Sequence, residues 1–129
     1  MKVLDTCVWI EIVLGSPLGV QLNALLTDKQ SVLVPSLVQF ELRRWALREY
    51  DTPRADFIVM ALREAVIVQT GERVAFLAAD LAKIHKLHAL DAIIYATALE
   101  HDAELVTCDA HFKDLPQVDY TPKVTEKTK

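Results

Sequence analysis

The sequence predicts an α/β fold: a three-layer α/β/α sandwich around a mainly parallel central sheet. Two observations carry that expectation. Short apolar, β-branched runs (KVLD, SVLV, AVIVQ and ELVT) alternate with segments of helical spacing along the whole chain. Strands this apolar need cover on both faces, which is the habit of parallel sheets. The 129 residues suffice for one domain with a real core, and 52% hydrophobic against 25% charged content marks an ordinary folded protein. There are no internal repeats, low-complexity segments or linkers, so a single domain is expected over residues 1–121, with 122–129 a flexible polar tail.

Residues 2–5 read as a buried strand ending in an acid, and 6–14 as a helix stopped by Gly15-Ser16-Pro17. Leu18, Leu22, Leu25 and Leu26 keep helical spacing, which predicts a second helix to about residue 28. Residues 31–34 form a brief strand. Pro35-Ser36 then opens a helix, with Ser36 and Gln39 in capping-box spacing, that runs to about Glu49 and carries Glu41 in its second turn. Asp51-Thr52-Pro53 breaks it, with Pro53 suited to the first position of a helix over 55–64. Residues 65–69 are a strand, 72–86 a long amphipathic helix, and 88–101 a nearly all-apolar helix. The strand 104–107 and a helical turn over 110–115 follow, and 118–120 adds an edge strand.

Asp5 and Glu11 interrupt the apolar N-terminus, and no run approaches the length of a membrane span, so a cytoplasmic protein without membrane contact is expected. Cys7 and Cys108 make neither a disulfide framework nor a zinc spacing and are expected to be small buried residues. Each lies within two residues of an acid, Asp5 or Asp109. The net charge is −4, and the tail TPKVTEKTK carries three lysines against one glutamate, so the rest of the chain is still more acidic. Such a body repels a phosphate backbone unless cations intervene or basic groups cluster. Arg43, Arg44, Arg48, Arg54 and Arg63 do gather in one stretch, as a solvated helix face or as an RNA or partner contact.

The acids are the informative residues. In open α/β sheets ligands gather outside the carboxyl ends of the strands. Asp5 ends the first strand, and Asp109 follows the last confident one. A helix of about 11 residues advances about 16 Å, and an extended return of about five residues covers the same distance, so Asp109 comes back close to Asp91. Glu41, in the second turn after a strand, can face the same edge. Each acid also has an ordinary explanation. Asp5 and Asp109 suit helix caps, Asp91 suits a helix N-terminus, and Glu41 can pair with Arg44 or Arg48. Those explanations weaken once all four project to one edge. Two carboxylates about 5 Å apart repel by roughly 3 kcal/mol at an effective dielectric near 20. A divalent cation relieves that repulsion, and an all-oxygen donor set suits Mg²⁺ or Mn²⁺ better than zinc.

Three blocks, VLDTCVWIE, PSLVQFELRR and LDAIIYATALEHDAELVTCDAHF, together resemble the PIN-domain ribonucleases, and among them the VapC toxins of toxin–antitoxin pairs. The resemblance runs from residue 3 to residue 112. It implies a PIN-like fold with an acidic metal site of Asp5, Glu41, Asp91 and Asp109, supported by the Thr107 hydroxyl and by Thr6. It further implies Mg²⁺-dependent (or Mn²⁺-dependent) hydrolysis of an RNA phosphodiester, leaving 5′-phosphate and 3′-hydroxyl ends, usually in structured RNA such as tRNA or rRNA. The partners it implies are a VapB-like antitoxin and a second copy of the chain in a homodimer. The apolar segments 18–26 and 55–62, with Trp45 or Tyr50 exposed nearby, are either interface material or, for any single residue the better reading, ordinary core. Cys7 stands where such sequences commonly carry Asn, which implies altered packing or metal support.

A histidine metal site is not expected: His85, His88 and Asp91 are split by a helix break, and His101 and His111 have no obvious partners. A dehalogenase-like phosphatase needs a second acid two positions after the first, where this chain has Cys7. A receiver domain needs an acidic pair at the end of its first strand. The remaining alternative is a non-catalytic PIN-like module that only binds RNA or protein.

Overall fold

In the computed structural model, which describes residues 1–123, five strands and six helices alternate as the apolar periodicity requires. The strands are β1 (Lys2–Leu4), β2 (Val32–Pro35), β3 (Val66–Val68), β4 (Glu104–Thr107) and β5 (Val118–Tyr120). The helices are α1 (Thr6–Leu14), α2 (Pro17–Asn23), α3 (Ser36–Glu49), α4 (Thr52–Ala61), α5 (Glu72–His85) and α6 (Ala89–Glu100). One sheet of order β3-β2-β1-β4-β5 holds all five strands, and every pairing in it is parallel.

Val3, Leu4, Val34, Leu105 and Val106 are buried in the sheet, and Val8, Val38, Leu42, Ile94, Tyr95 and Ala96 bring the helices down onto it. This is the expected α/β/α arrangement. From β1 the chain winds one way to β2 and β3, and later the other way from β4 to β5. The order therefore reverses between β1 and β4, and a crevice opens there at the carboxyl ends of the strands.

Several boundaries differ from the sequence expectation. α2 ends at Asn23, short of residue 28; Leu26 packs against the core from the turn beyond it. The capping box of Ser36 and Gln39 does not form. Pro35 is still paired with Val68 in the sheet, so the helix starts at once, with Pro35 in the cap position and no side-chain cap bond. α4 begins earlier than residue 55 because Asp51 caps it through the Arg54 amide, and its last turn tightens to a 3-10 turn over Leu62–Glu64. The expected tail, 122–129, lies outside the described residues beyond Lys123.

Candidate functional site

Asp5 leaves β1 at the reversal point. Its backbone N–H still bonds the Val106 carbonyl (2.9 Å), which extends the ladder one residue and fixes the acid between β1 and β4. The side chain is buried, 5% exposed, with both oxygens engaged. Oδ1 caps α1 by accepting from the Thr6 amide (2.8 Å), and Oδ2 accepts from the Thr107 hydroxyl (2.8 Å). Thr107 Oγ1 accepts in turn from the Asp109 amide (3.0 Å), so one hydroxyl ties the acid of β1 to the acid after β4. Thr6 does the same for α3, donating its hydroxyl to Glu41 Oε1 at 2.6 Å. Among the described residues Glu41 makes no ion pair with Arg44 or Arg48. Arg44 instead lies over the Phe40 ring, and Arg43 pairs with Asp56.

Asp91 sits in the first turn of α6, and that helix and β4 return the chain to Asp109 as the path length requires. Asp109 caps a 3-10 turn over Ala110–Phe112, accepting from the His111 amide (2.9 Å). The His111 ring folds back as well, with Nδ1 2.8 Å from the same carboxylate oxygen. Ligand atoms of Asp91, Asp109 and His111 all lie within 4.8 Å of one another. Asp5 and Glu41 stand outside this tight group but share its field.

Burial is the main reason Asp5 is pushed up from the ordinary 3.8 to about 6, with Asp91 and Asp109 adding to it against the Thr107 and Thr6 hydrogen bonds. Asp91 is also raised, by burial first, then by Asp109 and Glu41, while His111 and His88 act the other way. The four expected acids thus converge on one crevice. Capping and convergence hold together for Asp5 and Asp109.

His111 is the residue sequence reasoning missed, and its partner is Asp109. The expectation that His111 lacks a partner is corrected on that point. The available signal was the D-A-H spacing, because an Asp accepting from the amide two residues on turns that residue back beside its own carboxylate.

Cys7 lies beside Asp5 and Thr107. Its sulfur is 3.6 Å from Asp5 Oδ2 and 3.6 Å from Thr107 Oγ1, and it accepts from the Cys108 amide at 3.3 Å. Its hydrogen bond with the Cys108 thiol, then burial, push the Cys7 thiol up. Cys108 is buried as expected, whereas Cys7 is only half-buried because its sulfur lies against Asp5 and Thr107 at the crevice.

The donor set fits a divalent cation. Asp91 and Asp109, with His111, bring ligand atoms within 4.8 Å of one another, and the buried Asp5, raised to about 6, is a neighbouring carboxylate whose charge a cation there would offset. No helix among the described residues is long and apolar enough to cross a membrane.

Fold and crevice together define a class, parallel α/β/α proteins with an acidic site at the sheet reversal. The PIN domain model matches residues 2–118, and the chain belongs to the PIN domain family. A toxin–antitoxin complex from Klebsiella pneumoniae contains a chain 27% identical, with a TM-score of 0.80 over 95% of this chain and 98% of that one. VapBC2 from Rickettsia felis, bound to a DNA fragment from its promoter, is 18% identical, with a TM-score of 0.74 over 94% and 97%. Mycobacterium tuberculosis VapC20, a sarcin-ricin loop cleaving toxin, is 14% identical, with a TM-score of 0.65 over 81% and 85%. The last two likenesses speak to the fold alone. Comparison with curated proteins finds no match. The PIN-domain resemblance of the sequence agrees with the family match.

Proposed function

We propose that this chain is the toxin of a toxin–antitoxin pair and a metal-dependent endoribonuclease, hydrolysing RNA phosphodiester bonds at the crevice of Asp5, Glu41, Asp91 and Asp109. The observation that carries the reading is the convergence of the four acids at the sheet reversal of a PIN domain, two of them held above their ordinary range. Asp5, Asp91 and Asp109 hold the cation, Mg²⁺ or Mn²⁺, and Glu41 either joins them or orients the attacking water. When bound, a divalent ion polarises the phosphate, acidifies water and stabilises the leaving oxygen.

The chain's own groups supply position. Thr107 locks Asp5 to Asp109 through one hydroxyl, and Thr6 holds one oxygen of Glu41. Glu41 Oε2 is left for a proton or a water. The acids also repel a bare phosphate backbone, which makes RNA binding conditional on the ion.

A VapB-like antitoxin and a homodimer complete the reading, and exposed apolar side chains support both. Phe57 (77% exposed) borders a groove of about 350 Å³ lined by Trp9, Ile12, Ile58 and Ala61, and Met60 on the same helix is 57% exposed. Phe76 and Ile84 stand out on α5. Trp45 and Tyr50, expected to be exposed, are half-buried and packed edge to face on each other, so they offer less to a partner.

The test is incubation of the purified chain with total structured RNA in Mg²⁺ or Mn²⁺, in EDTA, and with Asp5→Asn. Cleavage confined to the wild type with metal is expected. Cleavage that persists in EDTA or in the variant overturns the mechanism, and RNA retention without cleavage identifies the non-catalytic module instead.

A further inference from the structure

We infer that His111 is a nitrogen ligand of the cation site, completing it with Asp91 and Asp109 and biasing it toward Mn²⁺ over Mg²⁺. This rests on the reading that the crevice holds a divalent cation, and it assigns to that ion a ligand outside the four acids.

The placement is specific. The turn that carries His111 is pinned on one side by the cap bond from Asp109 and on the other by Phe112, which is fully buried. Between those anchors the ring projects to the mouth of the crevice, its side chain 67% exposed and unconfined by packing. His88 meets it only edge-on, at 6.2 Å between ring centres. Among the described residues its ring makes one polar contact, with Asp109.

The spacing suits shared coordination. Around an octahedral ion with ligands about 2.1 Å away, neighbouring ligand atoms stand about 3 Å apart and opposite ones about 4 Å. His111 Nδ1 and Asp109 Oδ1 are 2.8 Å apart, close to a neighbouring pair, and the triad's ligand atoms fall within 4.8 Å of one another. Coordination by all three therefore requires ring and carboxylate shifts of less than about 1 Å.

The chemistry then sets the preference. Mg²⁺ takes oxygen ligands and keeps its waters, whereas later divalent metals accept imidazole. One imidazole among carboxylates leaves Mg²⁺ able to bind but favours Mn²⁺.

Pulsed EPR of the full chain loaded with Mn²⁺ tests this without reference to activity. Nitrogen hyperfine modulation is expected in the wild type and in His88→Gln, and is expected to vanish in His111→Gln. Competition titration should show the Mn²⁺-over-Mg²⁺ preference falling on the order of tenfold in His111→Gln. Mn²⁺ that binds the wild type without nitrogen modulation, or modulation that survives in His111→Gln, overturns the inference while leaving the cation site standing. No saturable Mn²⁺ binding to the wild type overturns both.

Discussion

At the scale of single residues, Asp5 carries a burden that pH exposes. Its folded pKa of about 6 lies above the ordinary 3.8, so the metal-free folded chain holds this proton more tightly than the unfolded chain does. Stability then falls as pH rises from about 4 to about 6, and the loss, roughly 3 kcal/mol, is complete at neutral pH. Asp5→Asn keeps an acceptor for the Thr6 amide and removes the charge. Urea unfolding in EDTA across that range should show a falling stability for the wild type and a flatter profile for the variant. Equal slopes would mean that Asp5 does not titrate there.

Thr107 is the second residue to test, because one hydroxyl serves two partners. Thr107→Val leaves the Asp109 amide without its acceptor and should cost about 1–3 kcal/mol in stability. RNA cleavage should fall at least about tenfold, since the bond lost is made to a charged group, and Thr107→Ser should restore both. Retained cleavage in Thr107→Val would show that the tie between Asp5 and Asp109 is dispensable.

At the scale of elements, α1 and α2 meet at Gly19. A Cβ there would lie 2.0 Å from the Glu11 carbonyl oxygen and 2.4 Å from its carbon, and backbone cannot move aside cheaply. Gly15, between the same helices, has φ 66°, a left-handed value that closes α1, with open space where a Cβ would go. Gly19→Ala should therefore cost about 3 kcal/mol or more by overpacking, and Gly15→Ala about 1 kcal/mol by conformation. Thermal melts that rank them the other way would contradict this packing.

The elements also show how far the sequence could be read. Alternating strand and helix patterns were plain in residues such as Val3, Leu4, Leu105 and Val106, which are apolar on both faces of the sheet. The meeting of Asp91 and Asp109 followed from path length alone. The end of α2 was hidden because Leu25 and Leu26 continue its apolar spacing while serving a turn. α3 starts at Ser36 as the sequence indicates, but its capping box does not form because β2 stays paired through Pro35, leaving no residue between strand and helix for a cap. His111 was overlooked because the D-A-H spacing that turns it back onto Asp109 is local, while its nearness to Asp91 is a tertiary contact.

At the scale of the whole molecule, a chain of net charge −4 concentrates acids where a polyanion is to bind. Under the proposed function a cation would resolve the conflict, stabilising the fold by mass action and admitting RNA to the crevice. At a concentration one hundred times its dissociation constant, the ion adds about 2.7 kcal/mol. Asp91→Asn removes a ligand together with part of the repulsion on Asp5, so its metal-free form should melt no lower than the wild type.

The central claim, that the converging acids form a cation site, is tested most directly by the melting temperature with Mn²⁺ and with EDTA, in the wild type and in Asp91→Asn. The account predicts a rise of several degrees on adding Mn²⁺ to the wild type and almost none in the variant. An equal rise in both, or none in the wild type, would contradict it.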